Sequence, residues 1–326
     1  MRRKPKDGLI SSRKSVWFYS GMLDENDTVL HDKSFYHNSF KTNMIIEDVD
    51  SFCLPIPDFL KKKYEVNLIT TDSRFEDLLT GAIETRYGRE NLTNSIYEFF
   101  KQCVRVVMTY GHAGYEIIYF STQDGKIDSF WLALIPPSAF IIKKDKFQQY
   151  VPLEIVNERN LEGQYIDLPK NDVLLFEIPE YIRGNYEQMM ESLDFLGKEV
   201  FPKFALENIY NPTVPFSQSD YLLSKEIALA KAARVIGWNA RNYSNEYKFE
   251  YYVWHRQLRF HKFLCILRET ILKTLNEGLK RIGNKLDVEA ELVIEGLPTV
   301  QDAENAIEKL NNGEIKTFSE VLDIFR

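Results

Sequence analysis

Hydrophobic side chains recur at helical spacing over residues 94–110. Ile96, Phe99, Phe100, Val104, Val107 and Met108 form one face, and Gly111 closes the run. The period then changes from 3.6 to two. Tyr115, Ile117 and Tyr119 alternate with Glu116, Ile118 and Phe120, Asp124-Gly125 offers a hairpin turn, and residues 130–134 return as a second strand. Pro136-Pro137 ends it. Further strands are expected at 140–142, 150–155 and 173–178, which predicts a mostly antiparallel sheet region in the middle of the chain.

After Gly184 the pattern is helical. Met189, Met190, Leu193, Leu196, Val200 and Phe204 share a stripe that Pro202 interrupts, and the prolines of residues 211–217 make a stiff connector. An Ala-rich helix is expected over 218–238 and a polar loop over 239–247. The longest helix follows, over 250–282, with Leu264, Leu267, Ile271, Leu275, Leu279 and Ile282 on one stripe. Residues 292–294 read as a short strand. Thr299 can cap a helix to Leu310, Asn312-Gly313 stops it, and Thr317 with Glu320 forms a capping box for a final helix. Residues 1–50 show no sustained periodicity and begin with Arg2, Arg3, Lys4, Lys6, Arg13 and Lys14, so they read as a mobile basic arm. Order is expected from about Phe52, with a helical stretch over 58–64.

Four segments result: an arm over 1–50, an α+β region over 51–184, long helices over 185–285 and a small acidic helical end over 286–326. The fold class is α+β, a central mostly antiparallel sheet with long C-terminal helices. At 326 residues, 44% of them hydrophobic, the chain can bury a substantial core, and 13% aromatic content argues for packed surfaces and against disorder.

Charge refines this picture. The net charge of −7 disfavours a protein coated with nucleic acid over its whole surface. Residues 255–281 nevertheless carry seven basic side chains (Arg256, Arg259, Lys262, Arg268, Lys273, Lys280, Arg281) against Glu269 and Glu277, a local +5, while residues 286–326 carry ten acidic against three basic, a local −7. Complementary solvated or subunit-contacting faces explain the pair most simply.

Chemistry finds little foothold. Cys53, Cys103 and Cys265 are far apart, without metal-ligand spacing, and each sits beside bulky apolar residues, which fits a reducing compartment. The histidines His31, His37, His112, His255 and His261 form no HExxH, and neither a GxxxxGK[ST] phosphate loop nor a GxSxG elbow occurs. No cofactor or catalytic residue is expected. Neither a signal peptide nor an uncharged run of membrane-spanning length is present. The one metal candidate is Asp48 with Asp50, flanking Val49, joined by Glu116 or Glu177 on a divalent ion; a polar loop gives the same alternation.

The order of elements resembles the tailed-bacteriophage portal (head-tail connector) family. The helix closed by Gly111, the strand Tyr115-Glu116-Ile117-Ile118-Tyr119, the hairpin and Leu134-Ile135-Pro136-Pro137 are similar to the family's wing region. Residues 173–179, with 181–186, look like the strand and glycine-bearing lead into its stem. Glu295-Gly296-Leu297-Pro298, then Asn312-Gly313-Glu314-Ile315-Lys316-Thr317 and Glu320, are similar to its C-terminal pattern. The likeness spans residues 95–326. It departs where portals insert a strand-bearing clip, since only residues 211–217 separate the two stem-like helices, so no docking residues are assigned.

The resemblance implies a homo-oligomeric ring at a capsid vertex, a channel for packaging and ejecting double-stranded DNA. It also implies capsid, terminase and tail-adaptor partners, and residence in the virion after assembly in host cytoplasm. The loop over 239–247 falls where portals carry a loop facing the channel, which makes Arg241, Asn242, Tyr243 and Lys248 the candidate DNA-facing residues. The alternatives are a metal-dependent nucleic-acid enzyme of a phage or mobile element and a virion or tail-adaptor component that forms no channel.

Overall fold

The computed structural model describes residues 9–18, 39–57, 64–83, 91–198, 217–241 and 249–323. The architecture is mixed α+β with antiparallel sheets and one long C-terminal helix, as the patterning implies. Contacts divide the chain into two compact units. One comprises Met1–Ser34, Leu54–Glu177 and Arg268–Leu297; the other comprises Phe35–Cys53, Ile178–Leu267 and Pro298–Arg326.

The first unit is built on the hairpin of β3 (His112–Ser121) and β4 (Ile127–Leu134), whose turn places Gly125 at φ +83°. On its other edge β3 pairs with β8 (Val173–Glu177) and, further along, with β1 (Ile10–Ser11). Alternation decides what each face meets. Tyr115, Ile117 and Tyr119 project to the side covered by helices. There Tyr115 meets Phe99 of α3 (Leu92–Tyr110) with ring centroids 5.1 Å apart. On β4, Phe130 meets Phe75 of α2 (Arg74–Ala82) on the same side at 5.7 Å. The C-terminal half of α7 (Glu250–Leu286) lies on this side too. Gly278 leaves no room for a Cβ against Leu174, and the Lys285 ammonium sits 3.8 Å from the centre of the Tyr119 ring. Helix α3 ends as its sequence implies, with Gly111 in the left-handed region at φ +78°, and its N-cap lies three residues before the expected Asn94, at Asn91, whose side chain accepts from the Asn94 amide.

The opposite face carries Gly114, Glu116 and Ile118, and an extended strap from the N-terminal segment lies across it. Glu116, 1% exposed, accepts the Lys14 amide at 2.7 Å on one carboxylate oxygen and the Ser15 amide at 2.9 Å on the other. Gln149 of β6 (Phe147–Tyr150) accepts the Val16 amide at 2.7 Å and donates back to the Val16 carbonyl at 2.5 Å, an imitation of a strand partner. Val16 and Phe18 then bury against Ala139, Val151, Ile155 and Val156. The expected unstructured arm is thereby corrected for residues 9–18, whose order comes from partners more than 100 positions away. It is corrected again at α1 (Phe40–Cys53), which buries Ile45, Val49 and Cys53.

A three-stranded sheet of β5 (Phe140–Ile142), β6 and β7 (Tyr165–Leu168) encloses Ile135, Phe140, Phe147, Leu168 and Val173. The strand expected over 150–155 ends at Tyr150, because Pro152 opens helix α4 (Leu153–Arg159). Strand β2 (Glu65–Thr70), which the pattern did not indicate, pairs with β9 (Ala290–Glu295). The helical stretch expected over 58–64 lies outside the described residues except for Tyr64, which is buried and irregular.

The second unit is helical. Alongside α1 it contains α5 (Glu180–Lys198), α6 (Gln218–Ala232), the N-terminal half of α7, α8 (Val300–Asn311) and α9 (Phe318–Asp323). Val200, Pro202, Phe204 and residues 211–216 lie outside the described residues. All six expected stripe residues of α7 are buried. Thr299 forms the capping box of α8 with Asp302, and Val253, Trp254 and Leu258 pack against Ala306, Leu310, Ile315 and Val321.

Two expectations follow for the first unit. Glu116→Gln leaves one strap amide without an acceptor at a buried site, so it should cost about 1–3 kcal/mol and speed hydrogen exchange at Lys14 and Ser15, read by urea unfolding and exchange mass spectrometry. His112 is half-buried beside Phe140, and desolvation holds its pKa below the ordinary 6.5 against the opposing pull of a backbone hydrogen bond to Phe140. Its contribution is therefore fully present above pH 6.5 and declines as the pH falls from there toward the depressed folded value, because the unfolded chain takes up the proton first. Denaturation midpoints measured from neutral to about pH 5 should fall less steeply in His112→Gln than in the wild type.

Candidate nucleic-acid interface at the root of the 239–247 loop

Helix α6 ends at Ala232, and the chain turns through residues 233–237 before reaching the loop expected to face a channel. The carbonyls of such a helix end need donors. Helix α7 supplies them. Arg256, 6% exposed, donates to the Ala230 carbonyl at 2.8 Å, to the Trp238 carbonyl and to the Tyr252 hydroxyl at 3.1 Å, and Arg259 donates to the Val235 carbonyl at 3.2 Å. Two cations thus sit at the negative end of the α6 dipole. Gly237 is at φ +79°, where a Cβ would stand 2.5 Å from the Arg256 carbonyl oxygen, so glycine alone lets the turn lie on α7.

The chain then meets α1. Trp238 is buried, and its indole N–H donates to Asp48 Oδ2 at 2.8 Å. Ala240 and Arg241 follow at φ +57° and +59°, consecutive left-handed residues without glycine, each costing about 1–2 kcal/mol. Arg241 closes the turn. Its Nε donates to Asp48 Oδ1 at 2.7 Å, its Nη2 to Glu47 Oε2 at 3.2 Å, and its own amide to Asn239 Oδ1 at 3.2 Å. The hydrogen bond to Asp48, above all, raises the guanidinium pKa and keeps it charged. Asp48 itself is buried on α1, with each carboxylate oxygen taken by a different donor.

Of the four candidate DNA-facing residues, Arg241 therefore stands at the loop root, turned to α1. Asn242, Tyr243 and Lys248 lie outside the described residues. The basic stretch of α7 is also redistributed. Arg256 and Arg268 are buried, Arg281 donates to the Val173 and Asn171 carbonyls, and Lys262 pairs with Glu304 of the acidic C-terminal region at 2.7 Å. Lys273 and Lys280 remain exposed. The expected complementarity of basic and acidic segments is thus realised within one chain at Lys262.

Of the carboxylates considered for a metal, Asp48 is engaged by Trp238 and Arg241, and Glu116 by the strap. Among the described residues no group of three or more His, Cys, Asp or Glu is placed to hold a metal ion. Cys53, Cys103 and Cys265 are buried thiols. His255 stacks on Tyr251, and His261 shares a hydrogen bond with Gln257. Among the described residues no helix is long and apolar enough to cross a membrane.

Sequence reading missed Asp48 as a structural partner, Trp238 as its donor and Arg256 as the cap of α6. One signal existed. An aspartate between Ile45, Ile46 and Val49 on an apolar helix face needs a buried donor. Because Arg256 serves the Ala230 and Trp238 carbonyls from a buried position, Arg256→Met should lower stability by about 2–4 kcal/mol, and Arg256→Lys should recover less than half of it for want of the planar fork, both read as shifts in urea midpoint.

No protein-family model matches the chain, and no curated protein matches it. Comparison with solved structures returns chains of gene transfer agent (GTA) particles. One, from a structure described as the virion of the native GTA particle, has a TM-score of 0.49 and 11% identity over 96% of this chain and 95% of that one. A second, from the neck of the native particle computed with C12 symmetry, has a TM-score of 0.46 and 11% identity over 94% and 93%. A third, from the neck of the empty particle computed with C6 symmetry, has a TM-score of 0.41 and 12% identity over 95% and 94%.

Proposed function

We propose that the chain is a portal-type subunit, which assembles with copies of itself into a ring and passes double-stranded DNA through the centre. The observation that carries this reading is an uncovered apolar surface on the two stem-like helices. Helix α6 leaves Leu222 53% and Ile227 47% exposed, and on α5 Phe195 is 66% exposed. An open groove of about 700 Å³ runs between the two helices, lined by Met189, Ser192, Phe195, Ala228 and Val235. Several large side chains left in water on adjoining helices are the mark of a surface that another chain covers. The resemblance in element order names copies of the same chain as that cover.

Charge supports the conduit. A duplex that must slide cannot be held by many strong phosphate contacts, because each neutralised phosphate adds to affinity. The subunit is net negative, and Arg256, Arg259 and Arg281 are committed to backbone carbonyls. The stretch that follows Arg241, with Asn242, Tyr243 and Lys248, is then the part that faces the duplex. Capsid, terminase and tail-adaptor proteins are the partners the reading implies, and the virion vertex its place.

Electron microscopy and light scattering of the purified protein test this. A closed ring with an axial hole about as wide as duplex DNA is expected. A filament or a plug would favour the adaptor reading instead, and a compact monomer would end both. Leu222→Glu combined with Ile227→Glu should disperse the ring while moving the unfolding midpoint of the subunit by no more than about 1 kcal/mol, since both positions are exposed.

A further inference from the structure

We infer that Arg241 is a positioning residue: with Asp48 and Trp238 it forms a latch that pins residues 238–241 to α1, where the loop expected over 239–247 begins, and its charge serves α1 and not phosphate. The latch has two ends and one centre. Asp48 Oδ2 receives the indole of Trp238 and Asp48 Oδ1 receives the guanidinium of Arg241, so a single carboxylate ties together both ends of a four-residue stretch. Between them Ala240 and Arg241 occupy a backbone region that side chains other than glycine rarely adopt. Such a conformation persists only where the surroundings over-determine it. Here the surroundings are named: the Asp48 carboxylate, the Asn239 side chain beneath the Arg241 amide, and Arg256 on the Trp238 carbonyl.

A phosphate role for Arg241 conflicts with this arrangement. To reach a duplex the guanidinium would leave both Asp48 and Glu47, and the Asp48 side chain, 9% exposed, would keep a negative charge with one oxygen unmatched. Burying an unpaired carboxylate is costlier than any gain from one exposed phosphate contact. The latch itself is independent of what the loop touches; only its service to a DNA-facing loop rests on the function proposed above.

The test uses the full-length protein with Asp48→Asn, Arg241→Gln and the double variant. Hydrogen exchange over residues 238–241 and limited proteolysis within 242–248 report the latch. Each single variant should raise exchange by about tenfold, and the double variant no further than the more affected single one, because the two groups act as one unit. Exchange unchanged in the singles, or effects that add in the double, would overturn the latch. Should Asp48→Asn fail to fold, Arg241→Lys replaces it: it keeps the charge but offers no fork to both carboxylates, so faster exchange is again expected and unchanged exchange again overturns the proposal. DNA binding separates this from the conduit reading. A phosphate contact at Arg241 would lower the salt slope by about one in Arg241→Gln and leave Asp48→Asn untouched, which would also overturn the latch. The latch predicts an unchanged slope in both. A protein that binds no DNA at all would sink the conduit and leave the exchange result standing.

Discussion

A polar backbone group buried away from its own ladder must find a partner, and in this chain charged side chains distant in sequence supply it. The carbonyls at the end of α6 are met by Arg256 and Arg259, and the amides of the N-terminal strap by Glu116. Everything else at these places depends on those bonds. The turn can press its Gly237 backbone onto α7 only because the carbonyls there point at guanidinium groups. The strap can cross a sheet face already filled with the facing pair Ile118 and Trp131 only because the next residue along that face, Glu116, is a carboxylate that accepts two N–H groups. An apolar residue at 116 would bury the same area and leave both amides unmatched.

This constraint explains which parts of the fold were legible. Helices α3 and α7 announced themselves because each buries a continuous stripe, and the caps at Gly111 and Thr299 act within four residues of themselves. The hairpin of β3 and β4 was readable from its alternation and from Asp124-Gly125. What escaped was non-local. Strand β2 pairs with β9 across a register that joins Glu65 to Glu295, and its outward Glu65, Asn67 and Ile69 leave too short an apolar rhythm to recognise. The strap of residues 9–18 carries five polar side chains among ten positions, and its order resides in Glu116 and Gln149, which no local window contains. The residues expected as strand over 150–155 include Val151 and Ile155, which favour β structure, whereas Pro152 at the start of α4 outweighs that preference.

The candidate site was legible in position and not in role. A polar loop between two long helices was evident, and Arg241 lies at its start as expected. Its engagement by Asp48 was not evident, since the two are 193 positions apart. The basic run on α7 misled in the same way. Formal charge counts side chains, while the field a ligand feels counts only those not already neutralised or buried. Of the seven cations in residues 255–281, Arg256, Arg259 and Arg281 bind carbonyls and Lys262 binds Glu304, so the local +5 overstates what the surface offers.

That accounting bears on how a ring of such subunits would treat a duplex. Arginine is the strongest phosphate ligand among the side chains, and repetition around a ring would multiply any contact that one subunit makes. A subunit that commits its arginines to its own backbone and its own carboxylates avoids this without giving up the packing those arginines provide. The same residues therefore answer two demands. They let a turn with three left-handed residues sit against a long helix, and in the proposed ring they would withhold from a duplex the groups able to arrest it.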